Sequence, residues 1–177
     1  MRHLFLPCLA LLLCLPLTGR AQPSQEKKNW FDDPFFQVSA GLPDCPVPLG
    51  PLLTFEEQRR EAHWRAERGT SCWLAGQCRD SNAYRYDKDL AAPVAAALKA
   101  VPGIESGSVW VVIQRRWVFL QGCVGTPGLM RQLERAAQAV PEVETVVPML
   151  QLGTRETPRR QKQAAARPIA CRAAFRR

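Results

Sequence analysis

The sequence predicts an α+β fold: a small three-stranded mixed sheet with two helices on one face, in the order α-β-β-α-β. Three observations carry this. Two segments repeat apolar residues at helical spacing, Leu90, Val94, Ala97, Leu98 and Val101 within 87–103, and Leu129, Leu133, Ala136, Ala137 and Val140 within 126–142. Three short runs rich in Val, Ile, Leu, Trp and Phe, at about 108–114, 117–124 and 144–152, have strand length and composition. The first two runs are separated by only two residues, so they form a hairpin, whereas a helix separates the second from the third.

Ahead of this domain the chain opens with Arg2 and His3, then the apolar run "LFLPCLALLLCLPL" and the small residues Gly19 and Ala21. The run is too short to span a bilayer, and the pattern predicts a cleaved signal peptide over 1–21. Residues 22–85 are predicted as a disulfide-stapled arm. After the polar lead-in "QPSQEKKN", residues 30–53 are rich in proline, which removes backbone donors and argues against regular structure. Trp30, Phe31, Phe35, Phe36, Val38 and Leu42 are nevertheless too apolar for a solvated linker, so the arm is expected to lie against another surface. A helix is predicted over 54–68, where Thr54 and Glu57 make a capping box and Gly69 a stop. Pro93 in the next helix is compatible with it only if the helix effectively begins near that residue. Pro148 cannot donate to a ladder, so the last strand should be an edge or carry a bulge. The tail, 154–177, has no sustained period and is predicted to be disordered.

The segment from Tyr86 to Leu152 resembles a BON domain, the small α/β module of bacterial envelope proteins. The resemblance rests on an Asp-led helix with Leu90, Val94 and Leu98, and on Val118-x-Leu120-x-Gly122-x-Val124. An Ala-rich helix with Leu133 and Ala137 follows, then Val143-x-x-Val146 and Leu150-x-Leu152. It departs from the family at Arg116, where glycine is usual in the hairpin turn, and at Pro148, where asparagine is common. Arginine at positive φ is strained by roughly 1 kcal/mol or more, which predicts that the turn opens into a longer loop. The resemblance implies attachment to phospholipid or another anionic envelope surface and a role in envelope integrity or stress.

With a two-residue turn at Arg115 and Arg116, Val109, Val111, Ile113, Val118, Leu120 and Gly122 face the helices. Trp110, Val112, Trp117 and Phe119, joined by Val147 and Met149, then form the opposite face. So large an apolar surface on an open sheet needs a cover. Three covers compete: the arm folded back over the face, a protein partner or homodimer, or a membrane. Cys123 alternates onto the same side, so a disulfide from Cys45, Cys72 or Cys78 could pin the arm there. Cys45, Cys72, Cys78 and Cys123 are the candidate disulfide cysteines, with Cys171 in the tail left over from an odd count.

Catalysis has little support. His63 is the one histidine beyond the predicted leader and sits on a charged helix, so a triad lacks its base. Zinc held by the cysteines and His63 is disfavoured by their spacing and by an oxidising compartment. No cofactor is expected. The chain carries a net +8. Its tail holds eight Lys/Arg against a single acid, Glu156, and the remaining body is nearly neutral. Arg159, Arg160, Lys162, Arg167, Arg172, Arg176 and Arg177 are therefore the candidate residues for an anionic surface, with Arg115 and Arg116 at the hairpin tip as an extension. The expected partner is anionic phospholipid or another envelope polyanion, and the export signal argues against nucleic acid. The alternative is an assembly subunit that uses the aromatic sheet face. The expected location is periplasmic or extracellular, peripheral to a membrane.

Overall fold

A computed structural model describes residues 26–154. The predicted leader, the tail cations from Arg159 to Arg177 and Cys171 lie outside the described residues. The elements are β1 (Phe35–Ala40), α1 (Phe55–Gly69), α2 (Ser71–Leu74), α3 (Asp87–Lys99), β2 (Gly107–Gln114), β3 (Trp117–Val124), α4 (Pro127–Gln138) and β4 (Thr145–Leu152), with 3-10 turns at Ala83–Tyr86 and Ile104–Ser106.

The α+β class and the α-β-β-α-β order of 87–152 hold, but the sheet has four strands, in the order β1-β2-β3-β4. β2 and β3 pair antiparallel in the register set by a two-residue turn, from Gln114 opposite Trp117 to Gly107 opposite Val124. β3 and β4 pair parallel through the α4 crossover. The fourth strand corrects the expectation of an irregular arm: Phe35–Ala40 adds antiparallel to the free edge of β2. The six residues "FFQVSA" contain no proline, and Pro34 precedes the strand, where its missing N–H costs no ladder bond. Its carbonyl accepts from the Ile113 N–H at 3.1 Å. Strand alternation packs Phe36 and Val38 on the core and turns Phe35 to the opposite face, and a bulge between Gln37 and Ser39 then shifts the register.

α3 and α4 cover one face. Leu90, Val94 and Leu98 from α3 and Leu129, Leu133 and Ala137 from α4 close over Val109, Val111, Ile113, Val118 and Leu120, all buried. These eleven side chains are the predicted stripes and the predicted strand face. α3 is one continuous helix from Asp87, contrary to a start near Pro93; Pro93 is exposed, where losing one helical hydrogen bond is least costly. Pro148 lies on β4, an edge strand as its missing donor requires. The capping box of α1 is present, with the Glu57 N–H donating to Thr54 Oγ1 and the Thr54 N–H to the Glu57 carboxylate.

Candidate functional site

Two places gather the residues singled out by the sequence: the hairpin tip and the sheet face turned away from the helices. At the tip, Arg115 and Arg116 keep a two-residue turn with φ of 57° and 65°, so the expected longer loop does not form. The compensation comes from Asp87, the first residue of α3. Its Oδ2 and Oδ1 accept from the N–H groups of Arg115 and Arg116, each at 2.7 Å, and a buried carboxylate thus cradles the strained peptide pair. Burial pushes the Asp87 carboxyl up to about 6, against these two hydrogen bonds, which favour its anion, and with a smaller push from Asp33.

The two arginines have different fates. Arg115 is partly buried, its guanidinium 4.5 Å from the Trp117 ring. Arg116 is drawn inward, its side chain only 12% exposed. Its Nε donates to the Glu142 carbonyl at 2.7 Å, its Nη2 lies 3.4 Å from the Glu142 carboxylate, and its plane sits 5.2 Å from the Tyr86 ring. Nη1 touches Cys78 Sγ at 2.9 Å. Arg116 therefore braces the tip against three segments and offers little charge outward.

A second buried polar group docks α1 beside the tip. Arg65 pairs with the Asp33 carboxylate through both terminal guanidinium nitrogens and is sandwiched between Phe31 and Tyr84, at 3.9 and 4.4 Å from their rings. Gln114 of β2 donates to the same Asp33 carboxylate at 2.6 Å. This pair has no signal in the sequence, because Asp33 and Arg65 are 32 positions apart and each reads as an ordinary surface charge.

The outer face is built in rows by the strand registers: Gln114, Trp117 and Thr145; Phe35, Val112, Phe119 and Val147; Gln37, Trp110, Gln121 and Met149; Ala40, Ser108, Cys123 and Gln151. The arm does reach this face, but only over part of it. Cys45 is bonded to Cys123, and Trp110 is enclosed by Cys45, Cys123, Phe35 and Leu42. Ser108 is buried with Trp110 and bonds both ways to Leu42, donating to its carbonyl and accepting from its N–H at 2.8 Å. Val112 is also buried; Trp117, Phe119 and Val147 stay partly open, and Met149 is exposed. Between the Pro-rich loop and the sheet runs a groove of about 290 Å³ lined by Pro46, Pro48, Leu49, Gln121, Met149 and Gln151. The Trp117 indole N–H and the Gln121 side-chain carbonyl have no hydrogen-bond partner among the described residues.

Cys72 and Cys78 close their own small loop, so the four candidate cysteines form two disulfides. His63, which pairs with Glu67 at 3.3 Å, stands apart from them on the exposed side of α1, so the imagined zinc set is not assembled. Among the described residues no group of three or more His, Cys, Asp or Glu is placed to hold a metal ion, and no helix is long and apolar enough to cross a membrane.

No curated protein and no solved structure matches the chain. Residues 86–154, from the Tyr86 that receives Arg116 to the end of β4 and the two residues beyond, match the family model of the BON domain, in the segment where the helix pair, the hairpin and the crossover have just been described.

Proposed function

We propose that this is an exported bacterial envelope protein that attaches peripherally to phospholipid or another anionic envelope surface, in support of envelope integrity or stress tolerance. It acts as a binding module and not as an enzyme. The observation that carries the reading is the BON-domain match over 86–154, a family associated with phospholipid binding. The tail supports it, since eight Lys/Arg follow β4 with one acid among them. Each cation near an anionic surface contributes about 1 kcal/mol, screened by salt. In this reading the tail supplies the charge, Arg115 adds to it, and Arg116 serves the hairpin.

The test is co-sedimentation with vesicles of anionic or neutral phospholipid, comparing the mature chain with one ending at Gly153. Binding that requires anionic lipid, weakens steeply between low and high salt, and falls on truncation is the expected result. Failure of the mature chain to bind either vesicle rejects the reading.

A second reading, an assembly subunit, has its own observation. Trp117, Phe119, Val147 and Met149 are incompletely covered. A protein partner laid on that face would bury the aromatics. Capture of a partner lost on Phe119→Ser, with vesicle binding absent, favours it over the first.

A further inference from the structure

The Cys72–Cys78 loop carries the most exposed large apolar side chain of the described residues, and it lies outside the BON-like segment. Leu74 at its tip is 80% exposed and Trp73 is 47% exposed. Ordinary folding drives such side chains inward, yet this loop is fixed by a disulfide in a form that holds them out.

Three properties of the loop converge. From Gly69 to Cys78 no residue carries an ionisable charge, the two cysteines being bonded, and this stretch is bracketed by Arg68 and Arg79, both exposed. Four backbone donors at the loop's tip are paired within it or with the residues just before it. The N–H groups of Leu74, Ala75, Gly76 and Gln77 donate to the carbonyls of Thr70, Ser71, Trp73 and Cys72, at 2.8–3.1 Å. The hydroxyls of Thr70 and Ser71 donate to the carbonyls of Glu67 and Arg68. Gly76, at φ 68°, makes the tight reversal possible. Donors already paired lose little on leaving water, which eases entry into a lipid interface. A protein pocket would not need this, because a partner can supply hydrogen bonds.

We infer that the Cys72–Cys78 loop is a membrane-insertion finger: Trp73 and Leu74 enter the interfacial layer of a phospholipid bilayer while Arg68 and Arg79 meet the headgroup phosphates. This rests on the surface-attachment reading and gives that attachment a specific anchor, complementary to the tail. Trp suits the headgroup boundary and Leu the acyl side of it. Arg79 matches an anionic headgroup in charge and donor geometry, and Arg68, which lies 3.6 Å from the Glu61 carboxylate, would exchange that partner for a phosphate.

The test uses the mature full-length chain and vesicles of phosphatidylethanolamine and phosphatidylglycerol. Trp73→Ser/Leu74→Ser should weaken partitioning about tenfold or more, as two large apolar side chains no longer leave water. Val47→Ser/Leu49→Ser, altering the other strongly exposed apolar loop, should bind as the unaltered chain does. Quenching of tryptophan fluorescence by brominated acyl chains should fall in Trp73→Phe, which keeps the anchor but removes the reporter. Unchanged thermal midpoints establish that the variants fold. If the unaltered chain binds these vesicles and Trp73→Ser/Leu74→Ser binds equally well, the finger is wrong and surface attachment survives. If the unaltered chain binds no vesicle, both fall. Sedimentation with native membranes but not with pure lipid assigns the loop to a protein receptor and also overturns the proposal.

Discussion

Arg115 and Arg116 occupy a left-handed backbone that each tolerates poorly, and what holds them there differs residue by residue. Asp87 accepts both N–H groups, so Asp87→Ala leaves two donors beside a vacant carboxylate position and should cost about 2–4 kcal/mol in urea unfolding. The carboxylate also brings a pH dependence. Its folded value is about 6, above the ordinary 3.8, so the folded protein holds this proton more tightly than the unfolded chain does. Asp87 therefore favours the fold most below about pH 4, and that contribution is lost as pH rises through 6, by at most about 3 kcal/mol. Unfolding midpoints taken at pH 4.5 and 7 should show this slope in the native chain and lack it in Asp87→Asn. Equal slopes in the two proteins would refute the assignment. The glycine substitutions part company: Arg116→Gly relieves strain but loses Tyr86, Glu142 and Cys78, and should be net destabilising by about 1–2 kcal/mol. Arg115→Gly loses only the stack on Trp117 and should be near neutral. At Gly122, φ is 111° and a Cβ would stand 2.2 Å from the Ser108 carbonyl oxygen, so alanine there should disrupt the hairpin.

Elements were legible in the sequence where one face decides the pattern. The stripes of α3 and α4 give the helix pair directly, because burial on one side enforces the period, whereas β2 is buried at nearly every position and the hairpin register and the two sheet faces follow from the two-residue turn. β1 was not legible as a strand. Its alternation, with Phe35 outward and Phe36 and Val38 inward, is cut short by a bulge after Gln37, and prolines on either side masked a proline-free six-residue run. The site was legible in part: the aromatic face and a Cys123 bridge could be read from alternation, but the Asp87 cradle and the Asp33–Arg65 pair depend on long-range placement. The two disulfides likewise act on different elements. Cys45–Cys123 closes 78 positions and ties the arm across the sheet, whereas Cys72–Cys78 closes six and shapes one loop. Loop-closure entropy puts the first at about 4 kcal/mol and the second near 2. Paired alanine substitutions measured by chemical unfolding should follow that order, with early proteolysis of 41–53 only when the long bridge is missing.

For the whole molecule, the question is whether the BON-like segment is a domain with an appendage or the larger part of one folding unit. β1 pairs with β2 from Phe35 opposite Val112 to Ala40 opposite Ser108, so the family-like segment alone would have β2 as a bare edge. Without Cys45, Leu42 and Phe35, Trp110 loses the apolar side chains that enclose it from outside its own hairpin. Without Asp33, Gln114 loses its partner at the hairpin tip, and the core loses Phe36 and Val38 from its margin. An unprotected edge beside exposed tryptophan invites strand pairing between copies. A fragment of residues 82–153 should therefore unfold at lower urea than the mature chain. It should also self-associate with rising concentration in sedimentation, while the mature chain at the same concentrations does so less. A fragment matching the mature chain in both measurements would show that the arm is a passenger. The expected difference instead makes the arm part of the fold, which explains why its apolar residues divide between the two sides of one sheet.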